Sequence, residues 1–497
     1  MDVYEFTRQQ LEDLLSAIVG KTLGQVDIKN VFDRTIKSPK ITGIAGDVIE
    51  QSVLGYPPNS SKKPDIVVDG IETEVKTTGI RVPKKKDTGF MYEAKEPISV
   101  TAVSPHSIVK EEFESSSFWH KLEHLLLVYY LYDSPVTVLA ADYANFPIKG
   151  YHFHEFSEEE KQMLKNDWLI VRDFIRYLQE NYNDLDKQYP RISSELRQQL
   201  MLIDTAPKWP HPPRFRLKRP VVSTIVQKYF GAQLEQLSEQ YTSFKALDAQ
   251  LHTLTQKYKG KTVRELMEHF QIPINEKPNK GVSQQIIVNM FGGHAKTLNQ
   301  IELFNKVGLI PKTVVQTKKG TRTEDMKLFT IDFNEWTSET TETDDDEIIP
   351  MTFEHSFVYN YFAQHQFLCI IFEEPSTEDT LFENTFIGFK RLLIHEDILQ
   401  QQVRPVWERV RHLILNDLLE DVPERKKDGT QKVTPKTGLP SSAPNLPKAK
   451  DFNFFLKGTS SAADVKPLCI NGVHMYNQQL WIKGSVVVEM LETMDYI

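Results

Sequence analysis

At 497 residues the chain exceeds one ordinary core, so two to four domains are expected, and 40% hydrophobic residues mark it as globular. It has no run of about 18 apolar residues and no basic-then-apolar leader. Its two distant cysteines, Cys369 and Cys469, exclude a disulfide framework and a cysteine zinc site, so a soluble protein of the reducing cytoplasm is expected. A net charge of −9 argues against a general polyanion binder, but a whole-surface sum hides local basic grooves.

A first helix is expected over Glu5–Ile18. Thr42 stands where it can cap a second, which carries Glu50 and is stopped by Gly55 with Pro57 and Pro58 beyond it. Next comes PDIVVDGIETEVKT (Pro64–Thr77), which reads as a β-hairpin with Asp69-Gly70 as its two-residue turn. Counting outward from that turn sets Val68 opposite Ile71, Ile66 opposite Thr73, and Asp65 opposite Glu74. Alternation gives Ile66, Val68, Ile71, Thr73 and Val75 one buried face and Asp65, Glu72, Glu74 and Lys76 an exposed one. Like charges directly across a strand pair cost roughly 0.2 to 1 kcal/mol, and a cation between the carboxylates relieves this. Oxygen ligands suit magnesium. Taken alone, such a hairpin is more often a solvated face of mixed charge, so its neighbours must decide.

After the hairpin, the basic loop RVPKKK (Lys84, Lys85, Lys86) suits phosphate contact or a solvated turn equally. ISVTAVS reads as a strand, and Lys121 stands just ahead of a buried strand, Leu125–Tyr130. The amphipathic helix over Ser157–Asn181 places Trp168, Val171 and Ile175 in the core. The densest basic patch, PKWPHPPRFRLKRPVVSTIVQK, includes Lys208, Arg214, Arg216, Lys218 and Arg219. In RFRLKR the alternation puts Arg214, Arg216 and Lys218 on one strand face, and Pro220 suits the first turn of a following helix. Basic residues on a strand that ends at a helix N-terminus suit contact with phosphates and base edges.

The polar helical stretch over 233–259 reads as a connector, after which the chain begins again. GKTL (20–23) returns as GKTV (260–263), the helix ending Leu54-Gly55 as one ending Phe291-Gly292, EVKTT (74–78) as IPKTV, WLIVRDFI (168–175) as WERVRHLI, and RLKRPVV (216–222) as WIKGSVV. Order is preserved at a separation of about 240 residues, lengthened before the last match by a Lys/Pro/Ser-rich insertion. Five matches in register imply two copies of one domain. In the second copy Glu50 meets Ile287, Asp65 meets Glu302, Glu74 meets Ile310 and Lys121 meets approximately Ala363, while Lys76 keeps its type as Lys312. Such a copy cannot assemble a carboxylate metal site, although it retains Lys312, Lys318, Lys319, Arg322 and Lys483 as DNA-contact candidates.

With Glu50, Pro64-Asp65, Glu74-Val75-Lys76 and His120-Lys121-Leu122 in that order, the first half resembles the MutH-type endonucleases of the PD-(D/E)xK class. The whole chain resembles their duplicated restriction-enzyme relatives of the Sau-three-A type, which cut at GATC. The resemblance implies an α/β fold of two tandem domains, each with a mixed central sheet flanked by helices, over 1–232 and 260–497. It also implies Mg(II)-dependent cleavage of double-stranded DNA. Glu50, Asp65 and Glu74 would bind the metal, Lys76 would position or stabilise the attacking water, and Lys121 would hold a phosphate. The C-terminal copy would bind DNA or a partner chain. Arg216 stands where the nicking members carry a recognition tyrosine. Two other readings remain open: a strand-nicking repair endonuclease, and a non-catalytic protein that reads a palindrome.

Overall fold

The fold is taken from a computed structural model, which describes residues 4–497 apart from 40–42, 58–62, 84–88, 135–137, 207–212, 275–280, 319–322, 343–347, 377–380, 427, 434–437, 439 and 460–464. In the N-terminal half the strands are β1 (Glu5–Phe6), β2 (Ile66–Val68), β3 (Ile71–Arg81), β4 (Glu93–Ala94), β5 (Ile98–Ala102), β6 (Leu125–Leu131), β7 (Ile148–His154), β8 (Ile203–Ala206) and β9 (Arg214–Leu217). One mixed sheet runs β1-β2-β3-β6-β7, with β4 added beside β3. β2 and β3 form the expected hairpin, with Ile66 opposite Thr73 and Val68 opposite Ile71. Asp69 and Gly70 both take positive φ, 49° and 86°, as a tight two-residue turn that matches strand twist requires.

β3 then runs parallel to β6, pairing Glu74 with Leu125, and β6 runs antiparallel to β7. Parallel strands are covered on both faces, which explains the uninterrupted burial of Leu125–Tyr130. The helix Glu158–Asn181 lies against this core with Trp168, Val171 and Ile175 fully buried. Ser157 and Glu160 start it with a capping box, so its first free N–H groups are satisfied.

The alternation expected for the hairpin holds only in part. Ile71 is 47% exposed because it sits at the projecting tip, whereas Glu74 is 1% exposed because it lies where β3 enters the sheet beside β6.

Part of this strand arrangement recurs in the C-terminal half, where, among the described residues, a helix, Glu302–Lys306, and no hairpin precedes the first sheet strand. Strand Leu309–Thr317 runs parallel to Gln366–Glu374, which runs antiparallel to Thr385–Leu392. A three-stranded antiparallel sheet ordered β5-β9-β8 in the first half has its counterpart in Met326–Thr330, Asn477–Ile482 and Phe454–Thr459. Caps recur as well. Ser116 accepts from Trp119 N and donates to the Phe113 carbonyl at 2.6 Å; Ser356 accepts from Tyr359 N and donates to the Phe353 carbonyl, also at 2.6 Å.

The stretch expected to be a connector contains the helix Phe244–Tyr258, and it does not span solvent. Phe244, Leu247, Leu251, Leu254 and Tyr258 recur at helical spacing and are all buried. Asp248 receives Arg391 at 3.0 and 2.7 Å. One hydrophobic cluster runs from Trp168 and Val226 through this helix to Leu309, Ile370 and Phe389, so the two halves share a core. Among the described residues, no helix is long and apolar enough to cross a membrane.

Candidate active site

Glu50 rides on a helical segment that begins at Ile44 and widens over Val48–Val53, a geometry often found at functional sites. Gly55, at φ 81°, closes the segment, and the Tyr56 N–H returns to the Glu50 carbonyl at 3.1 Å. The expected cap, Thr42, lies outside the described residues. Asp65 immediately precedes β2, and its Oδ2 accepts the Val75 N–H across the hairpin at 3.0 Å. That bond holds the carboxylate against β3, one residue from Glu74.

Glu74 is the centre of the site. Lys121 donates to both of its oxygens, at 2.8 and 3.0 Å, and Lys76 Nζ lies 2.8 Å from Oε1. A lone ionised carboxylate this deeply buried is expensive, and two ammonium groups offset that cost. Lys121 reaches Glu74 from the turn before β6, where Glu74 N also donates to the His124 carbonyl at 3.0 Å. The structure thus brings Lys121, 47 positions downstream, onto the hairpin motif.

The remaining carboxylates lack such compensation. Burial, with Asp65 and Asp47 adding repulsion, pushes Glu50 up to about 8. Burial followed by the Glu74 charge raises Asp65 as well, against the Val75 hydrogen bond and the two lysines. Burial alone would lower Lys76, but Glu74, Asp65 and Glu50 together hold it above its ordinary value.

Among the described residues, no three His, Cys, Asp or Glu side chains are gathered closely enough to chelate a metal ion, and both Glu74 oxygens are engaged by lysines. The donor set nevertheless fits a hard divalent cation. Hard carboxylate oxygens suit such an ion, the neighbouring carboxylates raise the proton affinity of Glu50 and of Asp65, and the buried Tyr56 hydroxyl has no hydrogen-bond partner among the described residues. Tyr56 was not singled out in the sequence; its only signal there is its place directly after the helix-stopping glycine.

This electrostatic strain has a pH consequence. The folded state binds the Glu50 proton more tightly than the unfolded chain does, so stability falls as pH rises from about 4.5 to about 8 and levels off above. Chemical denaturation of the metal-free protein is expected to show that decline, and Glu50→Gln should flatten it. Parallel curves for parent and variant would contradict the assignment.

The basic strand corrects the sequence reading. Arg216 is turned inward onto Asp204, bidentate at 2.7 and 2.9 Å. Lys218 is 3% exposed and donates to the Leu200 carbonyl, and burial lowers it to about 8 despite nearby Asp167. Arg219 donates to the Ala94 carbonyl at 2.8 Å and to Glu93 at 2.6 Å. Arg216 and Lys218 thus brace the fold instead of lining an open strand face, whereas Arg219 keeps part of its side chain exposed. β5 and β8 pair with the two edges of β9, and Phe215, Arg216 and Leu217, which alternate between its faces, are all buried, so both faces are covered. Arg214 stays half-buried at its start.

Lys84, Lys85, Lys86, Lys208, Lys319 and Arg322 lie outside the described residues. Lys318 is exposed, and Lys483 stands half-buried at the start of the last helix. Lys312 donates to the Lys327 carbonyl on the wall of a cleft of about 1660 Å³, which is also lined by Arg81, Arg219, Asp325 and Trp481. That cleft follows strand 309–317, away from Glu74.

Residues 54–167 match the family model for the DNA mismatch repair enzyme MutH, a window that includes Asp65, Glu74, Lys76 and Lys121 and begins just after Glu50. The chain is also 25% identical over 445 residues to the type II restriction enzyme Sau3AI of Staphylococcus aureus, which covers 85% of this chain and 83% of that enzyme.

Proposed function

Starting from a chain of the MutH/Sau3AI type, we propose a type II restriction endonuclease that makes magnesium-dependent double-strand breaks at 5'-GATC-3'. The observation that carries this reading is the buried Glu74, clamped by Lys76 and Lys121 beside Asp65 and Glu50. Glu50, Asp65 and Glu74 would hold the magnesium. When bound, that ion supplies the charge that ionises a water and offsets charge building on the phosphate. Lys76 adds a fixed positive charge beside Glu74, where a reacting phosphate gains negative charge. Lys121, from the same clamp, would hold an adjacent phosphate oxygen.

The catalytic unit is residues 1–232 and a second copy of the same domain spans 260–497. The repeated strand order and the paired serine caps support duplication. Loss of chemistry in the second copy is supported by what became of its ligands. Glu302, at the Asp65 position, receives Lys306 at 2.7 Å and Lys228 at 2.9 Å. Burial alone would raise Glu302, yet those lysines hold it down to about 2. Ile287 and Ile310 occupy the other two positions.

One incubation of methylated and unmethylated plasmid, with and without magnesium, separates the readings. Linear product supports the restriction enzyme, nicked circles a strand-nicking enzyme, and unchanged plasmid a protein that only binds DNA. A single active site cuts one strand per docking, so the second copy is assigned a role in binding a further GATC site or a partner chain. Plasmids with several GATC sites are therefore expected to be cut faster per site than plasmids with one, and short GATC duplexes added in trans should accelerate the latter. Equal rates without response would leave the second copy as a passive clamp.

A further inference from the structure

Tyr56 carries a buried donor with no acceptor among the described residues. The residue is 1% exposed, and its hydroxyl has no hydrogen-bond partner among the described residues. Buried polar groups are almost always bonded, so an orphan at this position calls for an explanation. Its place is fixed at both ends of the residue. The backbone N–H is tied to the Glu50 carbonyl, and the ring packs on Tyr4 with centroids 5.7 Å apart. The charged groups that act on the hydroxyl are Asp65, Glu50 and Glu74, all three of the carboxylates assigned to the metal.

The donor inventory of those carboxylates shows where a further hydrogen bond fits. Glu74 already receives two lysines, and Asp65 Oδ2 receives Val75 N. The free capacity lies with Asp65 Oδ1 and with Glu50.

We propose that Tyr56 is a positioning residue of the metal site, its hydroxyl donating to the Asp65/Glu50 carboxylate pair when a divalent cation draws the ligands together. This rests on the magnesium-dependent reading above. Burial and the surrounding carboxylates push the phenol well above its ordinary range, so it remains a donor throughout the working pH range. Hydrogen bonds from outside the ligand set orient liganding carboxylates, and their removal commonly weakens metal binding about 10- to 100-fold.

The test is metal binding without DNA or turnover, by titration calorimetry with magnesium and manganese on the full chain and on Tyr56→Phe. The phenylalanine keeps the ring on Tyr4 and removes only the hydroxyl. We expect the variant to bind either ion about tenfold or more weakly while its metal-free melting temperature is unchanged or higher. A second comparison, Tyr56→Phe made in a Glu50→Gln background, should produce a smaller loss than it does in the parent, since one of its acceptors has already been neutralised. Equal affinity of parent and Tyr56→Phe, or a lowered metal-free melting temperature with affinity intact, would overturn the proposal and leave Tyr56 a packing residue. A parent that binds neither ion would overturn the magnesium reading itself, and this inference with it.

Discussion

Asp65→Asn and Glu74→Gln variants are expected to retain DNA binding and to lose cleavage by at least about a hundredfold. Asp65 immediately precedes the first strand of the hairpin and Glu74 lies on the second, with Val75 N bonded to Asp65 and both Glu74 oxygens on lysines, so neither carboxylate is a free surface charge. The amides keep the shape of each side chain and remove the charge that a metal requires. Alanine at position 74 tests the same role less cleanly, because Lys76 and Lys121 would face each other without a counter-charge. Leaving such groups unsatisfied costs about 1 to 3 kcal/mol, so a folding defect would be mixed with the catalytic one. The measurement is plasmid cleavage beside duplex binding by fluorescence anisotropy. Either amide variant cutting at more than a few per cent of the parent rate would reduce the hairpin to a structural element.

Arg216→Ala and Asp204→Ala should each destabilise the protein by about 3 to 5 kcal/mol, read from urea unfolding. The pair is bidentate, and both side chains are nearly closed to solvent, so removing one partner strands the other charge in the interior. A base-reading arginine behaves differently: its loss costs about 1 to 3 kcal/mol of discrimination and leaves stability unchanged. Arg214, half-buried at the start of β9, is the member of this strand for which that second outcome is expected. If Arg216→Ala unfolds at the parental urea midpoint while GATC preference collapses, the inward orientation of Arg216 is wrong.

The same network ties the site to the rest of the molecule. Arg81, the last residue of β3, meets Glu93 at 2.9 Å and Glu335 of the C-terminal half at 3.1 Å. Lys306 reaches back to Glu160 on the long N-terminal helix. With helix Phe244–Tyr258 buried rather than free, a signal between the halves has a shared core and these ion pairs to pass through, not a swinging linker.

The parts of the molecule that the sequence determined by itself are those with short-range causes. A tight two-residue turn requires positive φ at both positions and Asp-Gly tolerates it, so the hairpin and its register were legible without any tertiary information. Leu125–Tyr130 reads as a buried strand, and Trp168, Val171 and Ile175 as a core stripe, because periodicity alone reports them. Phe113-Glu114 with Ser116, and Phe353-Glu354 with Ser356, form the same cap in the two halves, a short-range likeness visible in the sequence.

What only the tertiary structure decided is which polar faces are covered. Alternation assigns a side chain to a side of a strand and says nothing of what packs there. Glu74 therefore changed from an exposed charge to the most enclosed group of the site once Lys121 was brought over it. Arg216 and Lys218 lie inside the protein and not on an open strand face, because Asp204 and the Leu200 carbonyl, 12 and 18 positions away, fold against them. The helix at Phe244–Tyr258 has an apolar stripe at intervals of three to four residues, diluted by polar neighbours, and it became core only because the strand Thr385–Leu392 offers a surface to receive it. A charge pattern names the chemistry a residue can perform; its long-range partners determine whether that charge meets DNA, a metal or another side chain.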